Sequence, residues 1–125
     1  MKIQLEMGAG LNQIRAYAPG QVTVNQTIYT RSLIVTPQRV IADWPPLAFA
    51  ELDETHFEIL AGLRPEVVIL GTGARLRFPK PASLRALVEV NVGVEVMDTG
   101  AACRTYNILL GDGRRVAAAL LMIEG

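Results

Sequence analysis

The sequence is poor in the residue types on which many active sites depend. It contains one cysteine, Cys103, and one histidine, His56, among 125 residues. A single cysteine excludes an internal disulfide and a cysteine zinc cluster, and a single histidine excludes a metal site built from several imidazoles. Aromatic residues make up 6% of the chain, which is too few for a surface that stacks the bases of single-stranded nucleic acid.

Charge of one sign and long apolar runs are also missing. Lysine plus arginine and aspartate plus glutamate number 12 each, so the chain has no overall bias toward nucleic acid or an anionic membrane. The longest strongly apolar run, residues 116–123, is far shorter than the roughly 20 residues that span a bilayer. Residues 1–10 lack the pattern of a signal peptide and are expected to be loosely ordered. We therefore expect a cytoplasmic protein that neither binds nucleic acid nor inserts into a membrane.

What is present fits a single folded domain over residues 1–125. Half of the residues are apolar and 19% are charged, as in globular proteins. The first half is rich in β-branched and aromatic residues and in turn signals, which predicts strands over residues 14–17, 21–24, 27–29, 33–35 and 40–42. Pro19 followed by Gly20 suits a type II turn, and Pro45 with Pro46 ends this β-rich half.

The second half alternates between helices and strands. A first helix should begin near Leu52, with Asp53 or Thr55 as its cap, and end at Gly62. A β-α-β-α-β run over residues 67–123 follows, with strands at 67–70, 94–97 and 116–123. Its helices should cover residues 81–89 and 98–110, and Gly111 should end the second in a left-handed conformation. This order predicts an α/β fold with right-handed crossovers and a partly parallel sheet.

The carboxyl ends of two predicted strands form the first candidate site, because open α/β sheets bind ligands there. They carry Gly71, Thr72 and Gly73 and, at the start of a helix, Asp98 and Thr99. The N–H groups at this helix start could hold an anion, and polar side chains of the same helix could extend the site: Arg104, Tyr106 and Asn107. The alternative is a plain helix cap beside a tight turn, because Asp98 would compete for the same N–H groups and no phosphate-binding glycine motif is present.

The second candidate site is a basic stretch, residues 75–85, that contains no acidic residue. Its cations are Arg75, Arg77, Lys80 and Arg85. As a strand, residues 75–78 would place both arginines on one face and both apolar residues on the other, a possible edge for an acidic partner or a phosphate. The alternative is that the cations only protect a sheet edge from aggregation. Trp44 is a further candidate anchor for a protein partner, or it covers one end of the core.

No catalytic set, metal site or cofactor site is predicted. Cys103 lies about five residues into its helix and is expected to be packed, because a reactive thiol needs a base or cation beside it. His56 lies on the apolar stripe of the first helix, which favours a structural role. Three acidic residues near the start of that helix are explained by the helix dipole: Glu51, Asp53 and Glu54.

The most distinctive stretch is residues 94–121, VEVMDTGAACRTYNILLGDGRRVAAALL. It resembles a family of small conserved domains of unknown biochemical activity from archaea, bacteria and eukaryotes, whose human mitochondrial member is an assembly factor for respiratory complex I, the NADH:ubiquinone oxidoreductase. The similarity continues, in order, through separated positions over most of the chain from about Ile14: Tyr17, Pro19, Gly20, Asn25, Tyr29, Ser32, Pro37 and residues 68–73.

This resemblance implies a three-layer fold with a mixed central sheet that is β-rich on its N-terminal side. It brings no established catalytic residues, and the chain lacks the leading mitochondrial targeting segment of the eukaryotic relative, which favours a bacterial cytoplasmic protein. The first hypothesis is thus a non-enzymatic interaction or assembly protein whose partners are respiratory-complex subunits or assembly factors. The alternative is a domain, conceivably an enzyme, that binds a small molecule or anion at the strand ends. A homo-oligomer built on a sheet edge is a third option.

Overall fold

The computed structural model of this chain describes residues 10–124. The expectation that residues 1–10 are loosely ordered therefore concerns, apart from Gly10, residues outside this range. Within it, the β-rich first half begins with three antiparallel strands, β1 (Ile14–Ala18), β2 (Gln21–Val24) and β3 (Thr27–Tyr29). Ala18 pairs with Gln21 across the Pro19-Gly20 turn. Gly20 has φ +76°, the left-handed value that a type II turn requires at its third residue.

The remaining strands form a second, five-stranded sheet. They are β4 (Leu33–Val35), β5 (Val40–Ile41), β6 (Val67–Gly71), β7 (Gly93–Met97) and β8 (Val116–Leu120), in the order β5-β4-β8-β6-β7. β6 lies between β7 and β8 and is parallel to both, whereas β4 is antiparallel to β8 and β5. The predicted mixed, partly parallel sheet is confirmed. β8 ends three residues earlier than the predicted strand.

Three α-helices connect these strands within the described residues. They are α1 (Glu54–Gly62), α2 (Arg85–Glu89), which continues a 3₁₀ turn over Pro81–Leu84, and α3 (Thr99–Gly111). The carboxylate of Asp53 accepts from Thr55 N at 2.9 Å and caps α1. His56 completes a capping box, because its Nδ1 accepts from Asp53 N at 3.2 Å. His56 thus has the structural role that the sequence favoured, because its imidazole accepts a hydrogen bond that closes the start of α1.

The left-handed residue after α3 lies later than predicted. Gly111 is the last residue of α3, and the positive φ of +75° falls at Gly113. Helix α1 ends at its predicted closing residue, Gly62, and the left-handed conformation after it falls at Arg64, with φ +55°. In both loops one residue lies between the last helical residue and the left-handed one, so the glycine that ends each helix is not itself left-handed.

Two separate cores lie on the two faces of the five-stranded sheet. Because side chains alternate along a strand, Ile69 and Ala118 pack with α3 and the three-stranded sheet, whereas Val68, Leu70 and Ala117 pack with α1 and α2. All residues of β6 and β8 are buried, as the unbroken apolar runs predicted. The sheet is therefore the middle layer of a three-layer α/β domain.

The side chain of Asn107 in α3 joins the three-stranded sheet to the rest of the domain. Its Oδ1 accepts from Ile14 N at 3.0 Å and its Nδ2 donates to Ile14 O at 2.7 Å. The hydroxyl of the adjacent helix residue, Tyr106, donates to Asn12 O at 2.7 Å. The amide of Asn107 thus supplies β1 with the two bonds that a neighbouring strand would otherwise provide.

Helix α3 approaches β6 most closely at Gly71. A Cβ at this position would lie 2.9 Å from Thr99 Oγ1, 3.0 Å from Thr99 Cα and 3.1 Å from Ala102 Cβ. These distances are shorter than ordinary van der Waals contacts between carbon atoms. Glycine is required here because α3 lies directly against the backbone of the strand.

We predict that Gly71→Ala lowers the free energy of unfolding by about 1–3 kcal/mol, because the added methyl group must displace α3 from the sheet. Gly111→Ala is the matched control, since a Cβ at that helical position meets nothing within 4 Å. It should change stability by less than about 1 kcal/mol, in the stabilising direction. Equilibrium denaturant unfolding measures both values. Equal stability of the two variants would contradict the proposed close packing.

Candidate functional site

The carboxyl ends of β6 and β8 are joined by the buried side chain of Thr99. Its Oγ1 donates to Leu121 O at 2.7 Å and accepts from Gly73 N at 2.8 Å, while its backbone N–H donates to Gly73 O at 2.9 Å. Asp98 caps α3 by accepting from Ala101 N at 2.9 Å. The hydroxyl and N–H of Thr99, the N–H of Ala101 and the carboxylate of Asp98 are thus engaged within the chain, which agrees with the helix-cap alternative.

Thr72 organises the loop that leaves β6. Its Oγ1 donates to Arg75 O at 2.6 Å and accepts from Arg77 N at 3.2 Å. Residues 75–78 therefore do not form a strand, although their alternation would suit one. They curl around the buried Thr72 hydroxyl, because its bonds to two backbone groups bend the chain into a turn. We call residues 74–80 the strand-end loop.

The side chains of Glu124 and Arg77 also hold this loop in place. Glu124 Oε1 accepts from Ala74 N at 2.8 Å, and its Oε2 accepts from Arg77 Nη2 at 3.1 Å. The same Nη2 donates to Thr72 O at 3.2 Å, and the guanidinium lies 4.8 Å from the ring centroid of Phe49. The N–H of Ala74, together with Arg77, lowers the pKa of the Glu124 carboxyl. The strand-end loop is therefore braced at its start and at its centre.

The two residues on either side of Arg77 point to solvent. Phe78 is 71% exposed and Leu76 is 51% exposed. Arg75 and Lys80 are also exposed. Arg77 faces inward, so the predicted sharing of one face by Arg75 and Arg77 is wrong. The loop presents an apolar pair between two cations.

Arg85 lies outside this loop, on the first residue of α2. It is exposed, and its Nη1 lies 3.9 Å from Glu54 Oε1 in α1. A long, solvent-exposed pair of this kind contributes little to stability. The four cations of the basic stretch therefore have three different environments in the fold. Arg77 braces the strand-end loop, Arg75 and Lys80 are exposed on that loop, and Arg85 lies beside α1.

The other ligand candidates bind groups of the three-stranded sheet and of the segment before it. Arg104 donates to the hydroxyl of Tyr17 and lies beside its ring, and the polar groups of Tyr106 and Asn107 bind Asn12 and Ile14. The cavity formed by described residues near Thr72 measures about 40 Å³. That volume accommodates a few water molecules, whereas small-ligand sites occupy roughly 300–1,000 Å³.

Trp44 is 1% exposed and belongs to the core beneath α1. Its Nε1 donates to His56 O at 3.1 Å, and its ring meets the ring of Phe57 edge-on with 6.2 Å between centroids. The prediction of an exposed anchor for a partner is therefore wrong. Trp44 instead covers one end of the core, as the alternative interpretation had it. The reason is that α1 packs against the indole ring and a carbonyl group of this helix accepts from its single donor, Nε1.

Larger concavities occur at the amino ends of the parallel strands. One, of about 410 Å³, is bordered by the β4–β5 turn, the loop after α1 and the turn after α3. We call it the arginine groove, after the four cations that line it: Arg39, Arg64, Arg114 and Arg115. Sequence reasoning did not find this site. Only the adjacent Arg114 and Arg115 signal it along the chain, whereas Arg39 and Arg64 reach it through the fold.

Burial determines the chemistry of Cys103 and Tyr106. Both side chains are in the core, and burial raises the pKa of the Cys103 thiol to about 12 and raises that of Tyr106 above its usual range. Neither group ionises readily near neutral pH.

Among residues 10–124, no three His, Cys, Asp or Glu side chains are grouped as metal ligands. No helix in this range has the length and apolar character needed to cross a membrane.

We predict that Cys103 reacts with a disulfide reagent only after the protein unfolds. The buried thiol is protonated at about pH 8, and the thiolate is the reactive form. Native protein should therefore show no fast modification, and protein in guanidinium should be modified completely within minutes. Colour release from a chromogenic disulfide measures both rates. Rapid stoichiometric modification of the native protein would show that the thiol is accessible.

We predict that Glu124→Ala increases hydrogen exchange at the amides of Ala74 and Arg77, because the carboxylate that braces the loop is removed. Glu124→Gln should have a smaller effect, since its amide oxygen can still accept from Ala74 N. The exposed Glu89→Ala is the control. Global stability should fall by no more than about 1 kcal/mol, because the Glu124 side chain is more than half exposed.

The same bracing should depend on pH. A depressed carboxyl pKa contributes stability above the ordinary value of 4.5, and this stability is lost as the pH falls through the folded-state pKa. The amide resonance of Ala74 should therefore shift with an apparent pKa below 4.5. In Glu124→Ala this titration should disappear. A wild-type titration at or above the ordinary value would contradict the assigned contact.

Comparison with known proteins identifies the family. The family described as "Protein of unknown function (DUF498/DUF598)" matches residues 14–121. The crystal structure of a Bordetella parapertussis protein has a TM-score of 0.85 to this chain at 42% identity, and the match covers 91% of this chain and 98% of that one. An uncharacterised protein of Rhodobacter capsulatus is 32% identical over 123 residues, which cover 94% of this chain and 90% of that protein.

A eukaryotic relative carries a functional name. The Bos taurus protein "NADH dehydrogenase (ubiquinone) 1 alpha subcomplex assembly factor 3" is 34% identical over 114 residues, or 90% of this chain. The match covers 61% of the bovine protein, so this chain spans less than two thirds of that relative's length. The resemblance seen in the sequence is thereby confirmed, and the chain belongs to the DUF498/DUF598 family.

Proposed function

We propose that this chain is a non-enzymatic interaction protein that serves the assembly of a respiratory complex, and that it holds a protein partner on the strand-end loop. The names of its mammalian relatives support the assembly role. One observation supports the binding surface, namely the exposure of Phe78 and Leu76 on a loop whose backbone is braced by Thr72, Arg77 and Glu124.

Exposed apolar side chains on a braced loop have the properties of a binding hot spot. Covering an exposed phenylalanine or leucine side chain gains about 1.5–3 kcal/mol. A mobile loop loses much of this gain when it becomes ordered on binding, whereas a loop already held by its own hydrogen bonds loses less. The hydrogen bonds of the loop to the Thr72 hydroxyl and the Glu124 carboxylate therefore favour affinity for the partner, although these two groups do not contact it.

The charges beside the apolar pair indicate the chemistry of the partner. Arg75 and Lys80 are exposed, and neither lies within 4 Å of an acidic side chain among the described residues. A partner segment with an apolar anchor flanked by Asp or Glu would complement this arrangement. Such rim charges act mainly on the association rate and on specificity.

A binding role also agrees with the ionisation of the buried groups. An enzyme that uses a cysteine or tyrosine nucleophile lowers the pKa of that group. In this chain burial raises the pKa of both Cys103 and Tyr106. These side chains therefore serve as packing residues of the core, and function is assigned to the surface.

We predict that the double variant Leu76→Ala, Phe78→Ala reduces recovery of complex I subunits in pull-downs from membrane extracts by about tenfold or more, the effect of removing a hot spot. Thermal stability should be unchanged, because both side chains are exposed. Ile108→Ala is the control. This residue of α3 is 64% exposed, so its loss removes a similar apolar side chain from another surface.

The assembly role has a separate test in cells. A deletion strain should contain less assembled complex I, as measured by native gel electrophoresis, and the wild-type gene should restore it. The double loop variant should fail to restore assembly although it accumulates to the wild-type level. Normal assembly in the deletion strain would refute the assembly role, and full rescue by the double variant would refute the assigned surface.

A further inference from the structure

The arginine groove combines cationic and apolar lining in one cavity of ligand size. Its volume is about 410 Å³, within the roughly 300–1,000 Å³ typical of small-molecule sites. Its apolar lining includes Leu11, Leu63, Leu110 and Val116. Four guanidinium-bearing residues from three separate segments border the same space. An apolar floor with a few convergent charged groups is the usual composition of a site for an amphiphilic ligand.

The charges at this groove are not balanced. Glu66 accepts from Arg114 Nε at 2.6 Å and lies 3.5 Å from Arg115 Nη1. Arg39 and Arg64 have no acidic partner within 4 Å among the described residues. One glutamate thus serves two of the four arginines, and two cations at the cavity carry uncompensated charge.

The ends of α1 and α3 do not account for these cations. Arginines are common after helices because they can bind the last carbonyl groups. After α1, the carbonyls of Leu60 and Ala61 already accept from the N–H groups of Leu63 and Arg64, at 3.1 Å each. After α3, the carbonyls of Leu109 and Leu110 accept from backbone N–H groups at 3.0 Å each. The arginines are therefore not needed as hydrogen-bond donors to these ends.

We propose that the arginine groove binds a small organic anion, with a carboxylate or phosphate held by Arg39 and Arg64 and a short apolar group against Leu63 and Leu110. Guanidinium groups suit both head groups because their paired N–H donors match two anionic oxygens. A longer apolar group has space in an adjoining concavity, which shares Gly62, Arg64, Pro65 and Arg115 with the groove.

A small ligand fits this groove better than an acidic protein segment does. The charges lie around a concave, apolar-lined space rather than along an open sheet edge. The groove also lies at the end of β6 and β8 opposite the strand-end loop, so this proposal is independent of the function assigned to that loop. Binding of an anion here and of a protein partner there can be tested separately.

The test is an NMR titration of ¹⁵N-labelled full-length chain with hexyl phosphate, hexanoate, inorganic phosphate and hexanol. Hexyl phosphate or hexanoate should give saturable amide shifts in residues 38–39, 62–64 and 113–116 and none in the strand-end loop. Inorganic phosphate and hexanol should each bind at least about tenfold more weakly, because each supplies one half of the ligand. Absence of saturable shifts with both amphiphiles, or equal binding of hexanol, would overturn the proposal.

Variants connect the binding to the named residues. Arg39→Ala and Arg64→Ala should each weaken hexyl phosphate binding by about tenfold, as expected when one charged hydrogen-bonding group is lost. Arg31→Ala, which removes an exposed arginine away from the groove, should leave the affinity unchanged. Both groove residues are exposed, so the variants should fold, which thermal unfolding verifies. Unaltered affinity in the Arg39→Ala, Arg64→Ala double variant would refute the assignment.

A final arm distinguishes a soluble anion from a lipid head group. If the head group belongs to a lipid, the protein should sediment with vesicles of phosphatidylglycerol and phosphatidylcholine. This sedimentation should depend on Arg64. If the protein stays in solution while hexyl phosphate binds, the ligand is a soluble metabolite. The role of the groove would be contradicted if the Arg39→Ala, Arg64→Ala double variant sedimented with the vesicles as fully as the wild type.

Discussion

The hydroxyl of Thr99 is the contact on which the arrangement of this domain depends. It joins the end of β6, through Gly73 N, to the chain leaving β8, through Leu121 O, and it belongs to the first residue of α3. Only glycine at position 71 allows the helix to lie this close to the strand. The position of α3 then determines where Asn107 meets Ile14, and thus where the three-stranded sheet attaches.

The two ends of the parallel strands consequently differ. At the carboxyl ends, the bonds of Thr99 and Thr72 fill the space that open α/β sheets commonly use for a ligand, and Glu124 closes the remaining gap beside Ala74. The result is a braced loop with an exposed apolar pair. At the amino ends, the loop that leads from α1 into β6 and the turn that leads from α3 into β8 border the arginine groove.

Local physical chemistry explains most of the correct predictions. The β-branched and aromatic residues with their turn signals located β1 to β4, the unbroken apolar runs located β6 and β8, and Asp53 and Asp98 located the starts of α1 and α3. Residues 75–78, which alternate as a strand would, do not form one, and the reason is non-local. Alternation there is real, but Glu124, about 50 residues away, holds Ala74 and Arg77 in a loop instead. The burial of Trp44 likewise depends on the position of α1.

The sequence by itself determined the class of fold, the order of helices and strands, the family and the scarcity of catalytic residue types, because these depend on the periodicity, capping residues and composition of single segments. Only the tertiary structure decided which polar groups are available. The side chains of Thr72, Asp98 and Thr99 at the strand ends are engaged within the chain. Arg77 is a brace rather than a surface cation, and Arg39 and Arg64 line one cavity. The physical reason is that hydrogen bonds and charges are satisfied between segments distant in the chain, and no local pattern records those partners.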